Sequence, residues 1–292
     1  MNKIAIVTDS TADIPNHLVQ DLNIKVIPLT VHYGGKSYLD RVDISNEDFY
    51  RYIATAKTLP TTSQPSPAQY VDVYRACKAE GATKILSIHI SSEMSGTSQG
   101  AKMAADLVKD EIDVEVIDSR TVTMGLGLQV VTIAQYIRQN PEVEWEALLA
   151  RIETIKKNTR ILFLLDTLDN LQKGGRIGKA SYLVGSVLNI KPILIVEDGV
   201  IAPYEKVRGR KFEKTVNHLV DTICGVIDPE KPLYCDLGFN NAEYLEIFKN
   251  KLLPALDSKR KAPTTNVGDF QIGSVVTTHI GLGAFGIAYY QL

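Results

Sequence analysis

The sequence predicts two α/β domains, the first built on a largely parallel sheet covered by helices and the second on a more antiparallel, mixed sheet. At 292 residues the chain is long for one hydrophobic core and sufficient for two. Strand and helix patterns alternate through its first half, which is typical of a parallel sheet covered on both faces. A β-hairpin pattern at 191–204 indicates that the second half is more antiparallel.

Local patterns account for the elements of the first half in turn. Short apolar runs rich in β-branched residues predict strands at 3–8, 25–33, 84–90 and 114–117, and the Gly34-Gly35 turn predicts a hairpin return at 37–39. Helical spacing of apolar residues and helix-start signals predict helices at 15–22, 45–56, 66–80, 97–108, 125–137 and 143–157. Two of these helices open with a capping box, formed by Ser45 with Asp48 and by Ser66 with Gln69.

The second half begins near Arg160. Its patterns predict strands at 161–165, 191–196, 200–204, 232–238 and 274–279. Helices are expected after Arg210, up to about residue 227, and at 242–253. We expect the domain boundary within 156–160, which divides the chain into domains 1–158 and 159–292. Ligands of such sheets lie beyond the carboxyl ends of strands, so we expect the ligand between the two domains.

Composition limits the partners and the compartment. A formal net charge of −2 and a pI near 6.2 leave no dominant basic face for nucleic acid. The three cysteines share no metal or redox spacing, and no histidine stands at metal spacing from a carboxylate or a cysteine, so we expect no metal site. No apolar run approaches the roughly 20 residues of a membrane span. We therefore expect a soluble, cytoplasmic protein.

Two hydroxyl-rich loops are the main candidates for a site. The loop 91–98 follows a predicted strand and leads into a helix, so its hydroxyls lie beside the free N–H groups of a helix start. The loop Thr61–Ser63 precedes the helix that begins near Ser66. Hydroxyl and amide donors of this kind suit a small anion, and ordinary helix capping is the alternative interpretation.

Two further motifs leave alternatives open. Lys173-Gly-Gly-Arg176 fits a phosphate nest, an exposed basic turn, or a turn that directs Arg176 into the interdomain cleft or toward a partner. His279 ends a predicted strand, where it is either a site residue or a structural histidine. Ser95 has no local base, so a serine hydrolase is weakly supported.

Several of these motifs occur together and in one order along the whole chain. They are Val7-Thr-Asp-Ser-Thr11 with Asp13-Ile-Pro15, Thr62-Ser-Gln-Pro-Ser66, Ser95-Gly-Thr97, Leu165-Asp-Thr-Leu168, Lys173-Gly-Gly-Arg-Ile177, and His279 before Gly281. In this combination the sequence resembles the DegV family of bacterial fatty-acid-binding proteins. Ser98 and Gly100 stand where the family often has tyrosine and serine, and Leu282 where proline is usual, which leaves the preferred acyl chain open.

The resemblance implies a long-chain fatty acid between the domains as the ligand, with no cofactor. Its carboxylate is expected on the hydroxyls of Thr62 and Ser95 and the amide of Gly96, within a polar network that includes Ser63, Arg176 and His279.

The resemblance also implies a function. The protein is expected to be a carrier, not an enzyme, that presents the carboxylate to a separate fatty acid kinase for acyl phosphate formation. Arg176, or Arg208 and Arg210, are candidates for the surface that docks this partner. The rival hypothesis is an enzyme that acts on an acyl or phosphorylated small molecule through Ser95 or Asp9. A third possibility is a regulatory module whose lipid is a structural ligand.

Overall fold

The structure is a computed structural model that describes residues 3–183, 190–208 and 211–292. Within these residues the strands are β1 (Ile4–Asp9), β2 (Lys25–Ile27), β3 (Thr30–Tyr33), β4 (Lys36–Leu39), β5 (Thr61–Ser63), β6 (Lys84–His89), β7 (Asp113–Asp118), β8 (Arg160–Leu164), β9 (Ile190–Glu197), β10 (Val200–Arg208), β11 (Leu233–Phe239), β12 (Thr264–Gln271) and β13 (Phe285–Gln291). The α-helices are α1 (Asn16–Asp21), α2 (Asn46–Ile53), α3 (Pro67–Ala79), α4 (Thr97–Val108), α5 (Met124–Gln139), α6 (Trp145–Asn158), α7 (Asp169–Lys173), α8 (Phe212–Val226), α9 (Ala242–Lys259) and α10 (Ser274–Ile280). Short 3-10 turns occupy Ser10–Ala12 and Gly178–Leu183.

The N-terminal domain has a parallel sheet of four strands in the order β2-β1-β6-β7. A second, antiparallel sheet of three strands, β4-β3-β5, lies in the same half. The C-terminal domain has a six-stranded mixed sheet, β10-β9-β8-β13-β11-β12, in which only β11 and β12 pair in parallel. The predicted fold class, two α/β domains with a parallel and a mixed sheet, is confirmed.

Helix α5 lies between the two large sheets. One core cluster joins its residues Leu126 and Val130 to Leu86 of β6 and to Ala288 of β13. Because both flanks of α5 are covered, its buried positions run continuously from Met124 to Ala134. Helices α3 and α4 cover the outer face of the parallel sheet, and α8 and α9 cover the outer face of the mixed sheet.

The turn of the β9–β10 hairpin docks on loops of the N-terminal domain. Ser91 Oγ donates to the carbonyl of Gly199 over 2.7 Å, and the guanidinium of Arg120 donates to the carbonyl of Asp198. Asp198 and Gly199 both have positive φ, as a two-residue hairpin turn requires. The proposed boundary after residue 158 falls between α6 and β8.

Two sequence-based assignments are wrong, and three strands were not predicted. The segment 274–279, predicted as a strand from its β-branched run, is helix α10, because carboxylates of the N-terminal domain bind the amides at its start. The run 25–33 is two strands that belong to different sheets. The strands β5, β12 and β13 were not predicted, since β5 and β12 are rich in polar residues and glycines precede β13.

Candidate functional site

A largely apolar cavity lies between the domains. Both halves of the chain supply its apolar wall: Leu29, Ile90, Met94, Val122, Leu171, Ile201, Val275, Val276 and Ile280. Four polar side chains complete the lining, those of Thr62, Ser95, Arg176 and His279. The cavity therefore has the two parts that an amphiphilic ligand needs, an apolar wall and a small polar group.

A second apolar cavity adjoins the first. Val122, Ile201, Val276 and Ile280 line both of them. The rest of its wall is Thr123, Met124, Ile161, Phe163, Val196, Ile272, Ala284 and Phe285. Apolar surface thus extends from the polar groups into the space between α5 and the mixed sheet.

Thr62 and His279 meet across the domain interface. In β5, Thr62 pairs with Val31 of β3, and its side chain points to the face opposite those of its two strand neighbours. Thr62 Oγ1 lies 2.9 Å from His279 Nε2. Burial, together with the nearby charge of Arg176, lowers the pKa of His279 to about 4, so its imidazole is neutral at pH 7.

Ser95 and Gly96 stand at the start of α4. Ser95 Oγ lies 2.8 Å from Thr97 Oγ1 and accepts a longer bond of 3.4 Å from the Thr97 amide. Among the described residues, no group accepts a hydrogen bond from the Gly96 amide. A β-carbon on Gly96 would collide with the side-chain amide of Gln64, so a larger residue here would require the Gln64 side chain to move. Helix capping explains the bond from the Thr97 amide to Ser95 Oγ. Among the described residues, it leaves the Gly96 amide as a free donor.

The Lys173–Arg176 motif is a basic turn and not a phosphate nest. It closes α7 with two backbone bonds, from Gly175 N to Gln172 O (3.1 Å) and from Arg176 N to Leu171 O (3.0 Å). Gly175 supplies the left-handed conformation of this cap, with φ +69. The amides are therefore used within the chain, and only the side chains can bind an anion.

The exposed side chain of Arg176 lies where the cavity opens. Its Nη1 donates to Gly174 O over 2.7 Å and its Nε to Met94 O over 3.3 Å. Outside this point an open cleft, lined also by Thr62 and His279, carries the cations Lys57, Lys173 and Arg176. No aspartate or glutamate is among its described lining residues. The mouth of the cavity is therefore positively charged.

Ser63 stands apart from these groups. It is exposed on the other face of β5, where its hydroxyl lies 2.7 Å from His32 Nε2. The predicted network near the head group is thus divided, with Arg176 and His279 at the cavity and Ser63 outside it. Of the predicted docking residues, Arg208 ends β10 and Arg210 lies outside the described residues.

Asp9 is fully buried and engaged by neighbours. It accepts hydrogen bonds from Thr11 and from the Ile90 amide, and its Oδ2 lies 2.9 Å from His89 Nδ1. His89 Nε2 in turn lies 2.7 Å from Ser87 Oγ. This Asp–His–Ser series could not be predicted from the sequence, because its members come from two strands. None of its side chains reaches solvent, so it is a structural network and Asp9 is closed to substrates.

The sequence predicted no site role for Gln64 or Lys57, and it placed Thr97 in a candidate loop without a specific contact. Thr97 and Gln64 belong to the motifs already singled out, and their roles follow only from contacts between separate loops. Among the described residues, no group of three or more His, Cys, Asp or Glu side chains could hold a metal ion. Within the same part of the chain, the structure contains no helix with the length and apolarity to cross a membrane.

The fold and the site define a class of proteins with two α/β domains, an apolar cavity between them and polar groups at its mouth. The family profile described as "Uncharacterised protein, DegV family" matches residues 3–292. The chain belongs to the DegV family, as its motifs predicted.

Relatives and solved structures agree with this assignment. A DegV domain-containing protein of Listeria innocua is 36% identical over 288 residues, which cover 98% of each chain. A DegV family protein of Thermus thermophilus, described by its fatty acid binding, has a TM-score of 0.89 at 29% identity and covers 99% of this chain and 100% of that one. DegV of Bacillus subtilis, a fatty acid binding protein, has a TM-score of 0.84 at 32% identity and covers 100% of both chains.

Proposed function

We propose that this protein holds a long-chain fatty acid between its domains and presents the carboxylate to a fatty acid kinase, which converts it to an acyl phosphate. The observation that carries the proposal is the apolar cavity with Thr62, Ser95 and His279 in its lining. The tail would lie against the apolar wall and extend into the second cavity. The carboxylate would lie at the hydroxyls, with the Gly96 amide as a further donor.

The energetics favour this division between tail and head. Burial of a methylene contributes about 0.8 kcal/mol, so a tail of about fourteen methylenes contributes about 11 kcal/mol before ordering costs. An unpaired carboxylate would lose much of this gain, since desolvation of an ion costs several kcal/mol. Hydroxyl and amide donors offset the desolvation cost without a permanent ion pair.

Neighbouring groups leave the hydroxyl hydrogens of Thr62 and Ser95 free to point toward the ligand. We assign the imidazole hydrogen of His279 to Nε2, so that it donates to Thr62 Oγ1 and leaves the Thr62 hydroxyl free to donate to a carboxylate. Thr97 acts on Ser95 in the same way, since Ser95 Oγ accepts from the Thr97 amide and lies within reach of its hydroxyl. A carboxylate accepts and cannot donate, and therefore suits this arrangement.

The charged mouth supports presentation to a kinase. A partner that delivers a phosphoryl group must bring several negative charges close to the carboxylate. The cleft with Lys57, Lys173 and Arg176 attracts such negative charges. Its described lining residues include no acidic side chain that would repel them. The chain is then a carrier and not an enzyme, with the lipid as its ligand and no cofactor. Its three unpaired cysteines suit a reducing compartment, and we place it in the cytoplasm.

Lipid extraction tests this proposal. Protein purified from a bacterial host is denatured and extracted with organic solvent, and fatty acid is quantified by mass spectrometry. We expect stoichiometric fatty acid in the wild type and a clear loss in Ser95→Ala and Thr62→Val. Ser63→Ala, on the opposite face of the same strand as Thr62, is the matched control and should retain its lipid. Equal occupancy in all three variants would refute the site. A lipid-free wild type that hydrolyses an ester or phosphate would favour the rival enzyme.

A further inference from the structure

Helix α10 carries a disproportionate share of the site. Val275, Val276 and Ile280 form part of the apolar wall, and His279 meets Thr62. The helix has only seven residues and lies in the C-terminal half of the chain. A helix this short has little stability of its own, so its position depends on contacts at its ends and along its faces.

Two carboxylates of the N-terminal domain bind the start of α10. Asp13 Oδ1 accepts from the Gly273 amide over 2.8 Å. Asp40 Oδ1 accepts from the Ser274 amide over 3.2 Å and also from the Ser274 hydroxyl. The first amides of a helix lack partners within the helix, and here the other domain supplies their acceptors.

Both carboxylates are held rigidly and away from water. Asp13 and Asp40 are each 1% exposed. Asp13 has φ +54 at the end of a 3-10 turn, and its second oxygen accepts from the Thr123 hydroxyl over 2.5 Å. Burial of two carboxylates is costly, and simple apolar packing of α10 would have avoided this cost.

Neighbouring contacts tie the same segment to the same domain. The hydroxyl of Tyr50 donates to the Ile272 carbonyl, and Gln271 Nε2 donates to Glu47 over 2.9 Å. Val275 packs in a core cluster with Phe49. The chain from 271 to 280 is thus attached to the N-terminal domain at its start and again at His279.

We propose that Asp13 and Asp40 are positioning residues of the head-group site: they fix the start of α10 so that His279 lies against Thr62. Neither aspartate contacts the cavity, so each acts through the helix. The proposal rests on the proposed function for the identity of the ligand. Head-group binding then depends on the acceptor oxygens of Asp13 and Asp40, which lie outside the cavity.

The test compares loss of the acceptor with loss of the ionisable group. Asp40→Ala and Asp13→Ala remove the acceptor, whereas Asp40→Asn and Asp13→Asn keep an acceptor oxygen on a side chain that stays neutral. We expect the alanine variants to release fatty acid about tenfold faster than the wild type and the asparagine variants to stay close to it. Asp106→Asn, an exposed residue of α4, is the control.

An NMR titration of His279 provides a second measurement. The pKa of His279 should stay unchanged if the aspartates contribute only to the stability of the fold. In the wild type we expect its pKa far below 6.5, and in folded alanine variants we expect it to rise, because displacement of α10 would reduce the burial that lowers it. Ser274→Ala removes only one donor to Asp40 and keeps the test available if the alanine variants do not fold. It should show smaller changes of the same sign.

Folded alanine and Ser274→Ala variants with wild-type release and wild-type titration of His279 would overturn the proposal. Failure of the proposed function gives a different result. In that case the wild type retains no fatty acid, and the titration of His279 still reports whether the aspartates position it.

Discussion

The hydroxyl of Thr62 lies 2.9 Å from Nε2 of His279, and this bond joins a strand of the N-terminal domain to a helix of the C-terminal domain. Beside this bond lie Ser95, Arg176 and the apolar residues that the two domains contribute to the cavity. The site therefore exists only when the domains are together. Separation of the domains would expose the tail of a ligand and break up the groups that hold its head.

Substitution of His279 tests its role as a neutral donor. We expect His279→Gln, which keeps a donor N–H, to retain fatty acid within a few-fold of the wild type. His279→Leu should bind about tenfold more weakly, the equivalent of about 1.4 kcal/mol. Because the pKa of His279 is lowered to about 4, wild-type affinity should be flat between pH 6 and 8. Affinity measured by displacement of a fluorescent fatty acid checks both points, and a steep change near pH 6.5 would contradict them.

The second cavity should set the length of the acyl chain. Ala284 lines it and is 1% exposed. We expect Ala284→Leu to fill part of this space, to shift the bound lipid toward shorter chains and to destabilise the fold by about 1–3 kcal/mol through overpacking. Mass spectrometry of extracted lipid measures the shift. Ala79→Leu, an exposed position in α3, is the control, and an unchanged lipid profile in Ala284→Leu would place the tail elsewhere.

Charge reversal at the mouth should separate presentation from binding. We expect Lys57→Glu and Lys173→Glu to slow acyl phosphate formation by a fatty acid kinase with ATP several-fold, because the cleft would then repel phosphates. Lipid occupancy should not change, since neither lysine lines the apolar cavity. Lys102→Glu, at an exposed position of α4, is the control. Acyl phosphate formation at the wild-type rate in both reversals would eliminate the cleft as the approach path.

Asp13 should make stability depend on pH. Burial raises its pKa from 3.8 to about 8, with Asp40, Arg41 and Tyr50 as its charged or titratable neighbours. The folded protein then keeps a proton that the unfolded chain releases above about pH 4. The free energy of unfolding must therefore fall as the pH rises toward 8, by up to about 1.4 kcal/mol per pH unit.

Urea unfolding at pH 6.5, 7.5 and 8.5 measures this slope, and the comparison with Asp13→Asn separates it from the titration of His279 in the unfolded chain near pH 6.5. Asp13→Asn stays neutral and should lose the part of the slope that is due to Asp13. Identical slopes in the wild type and in a folded Asp13→Asn would show that Asp13 is ionised in the native state.

Most of the fold and part of the site could be predicted from the sequence. Parallel strands, their helices and the hairpin leave strong local patterns. The loop 61–63 could be singled out because helix capping did not explain its hydroxyls, and the choice of Thr62 and Ser95 came from the resemblance to the family. Helix α10 could not be predicted, because its β-branched sequence favours a strand and the aspartates that bind its start are more than 230 residues away. A separation of 80 residues likewise hid the Asp9–His89 pair, whose partners meet only through strand pairing.

The most direct test of the central claim is the amount of fatty acid carried by the purified wild-type protein. Mass spectrometry of the extract should give about one long-chain fatty acid per chain, and Ser95→Ala combined with Thr62→Val should lose it while remaining folded. A wild type free of lipid that also fails to bind added long-chain fatty acid would contradict the account.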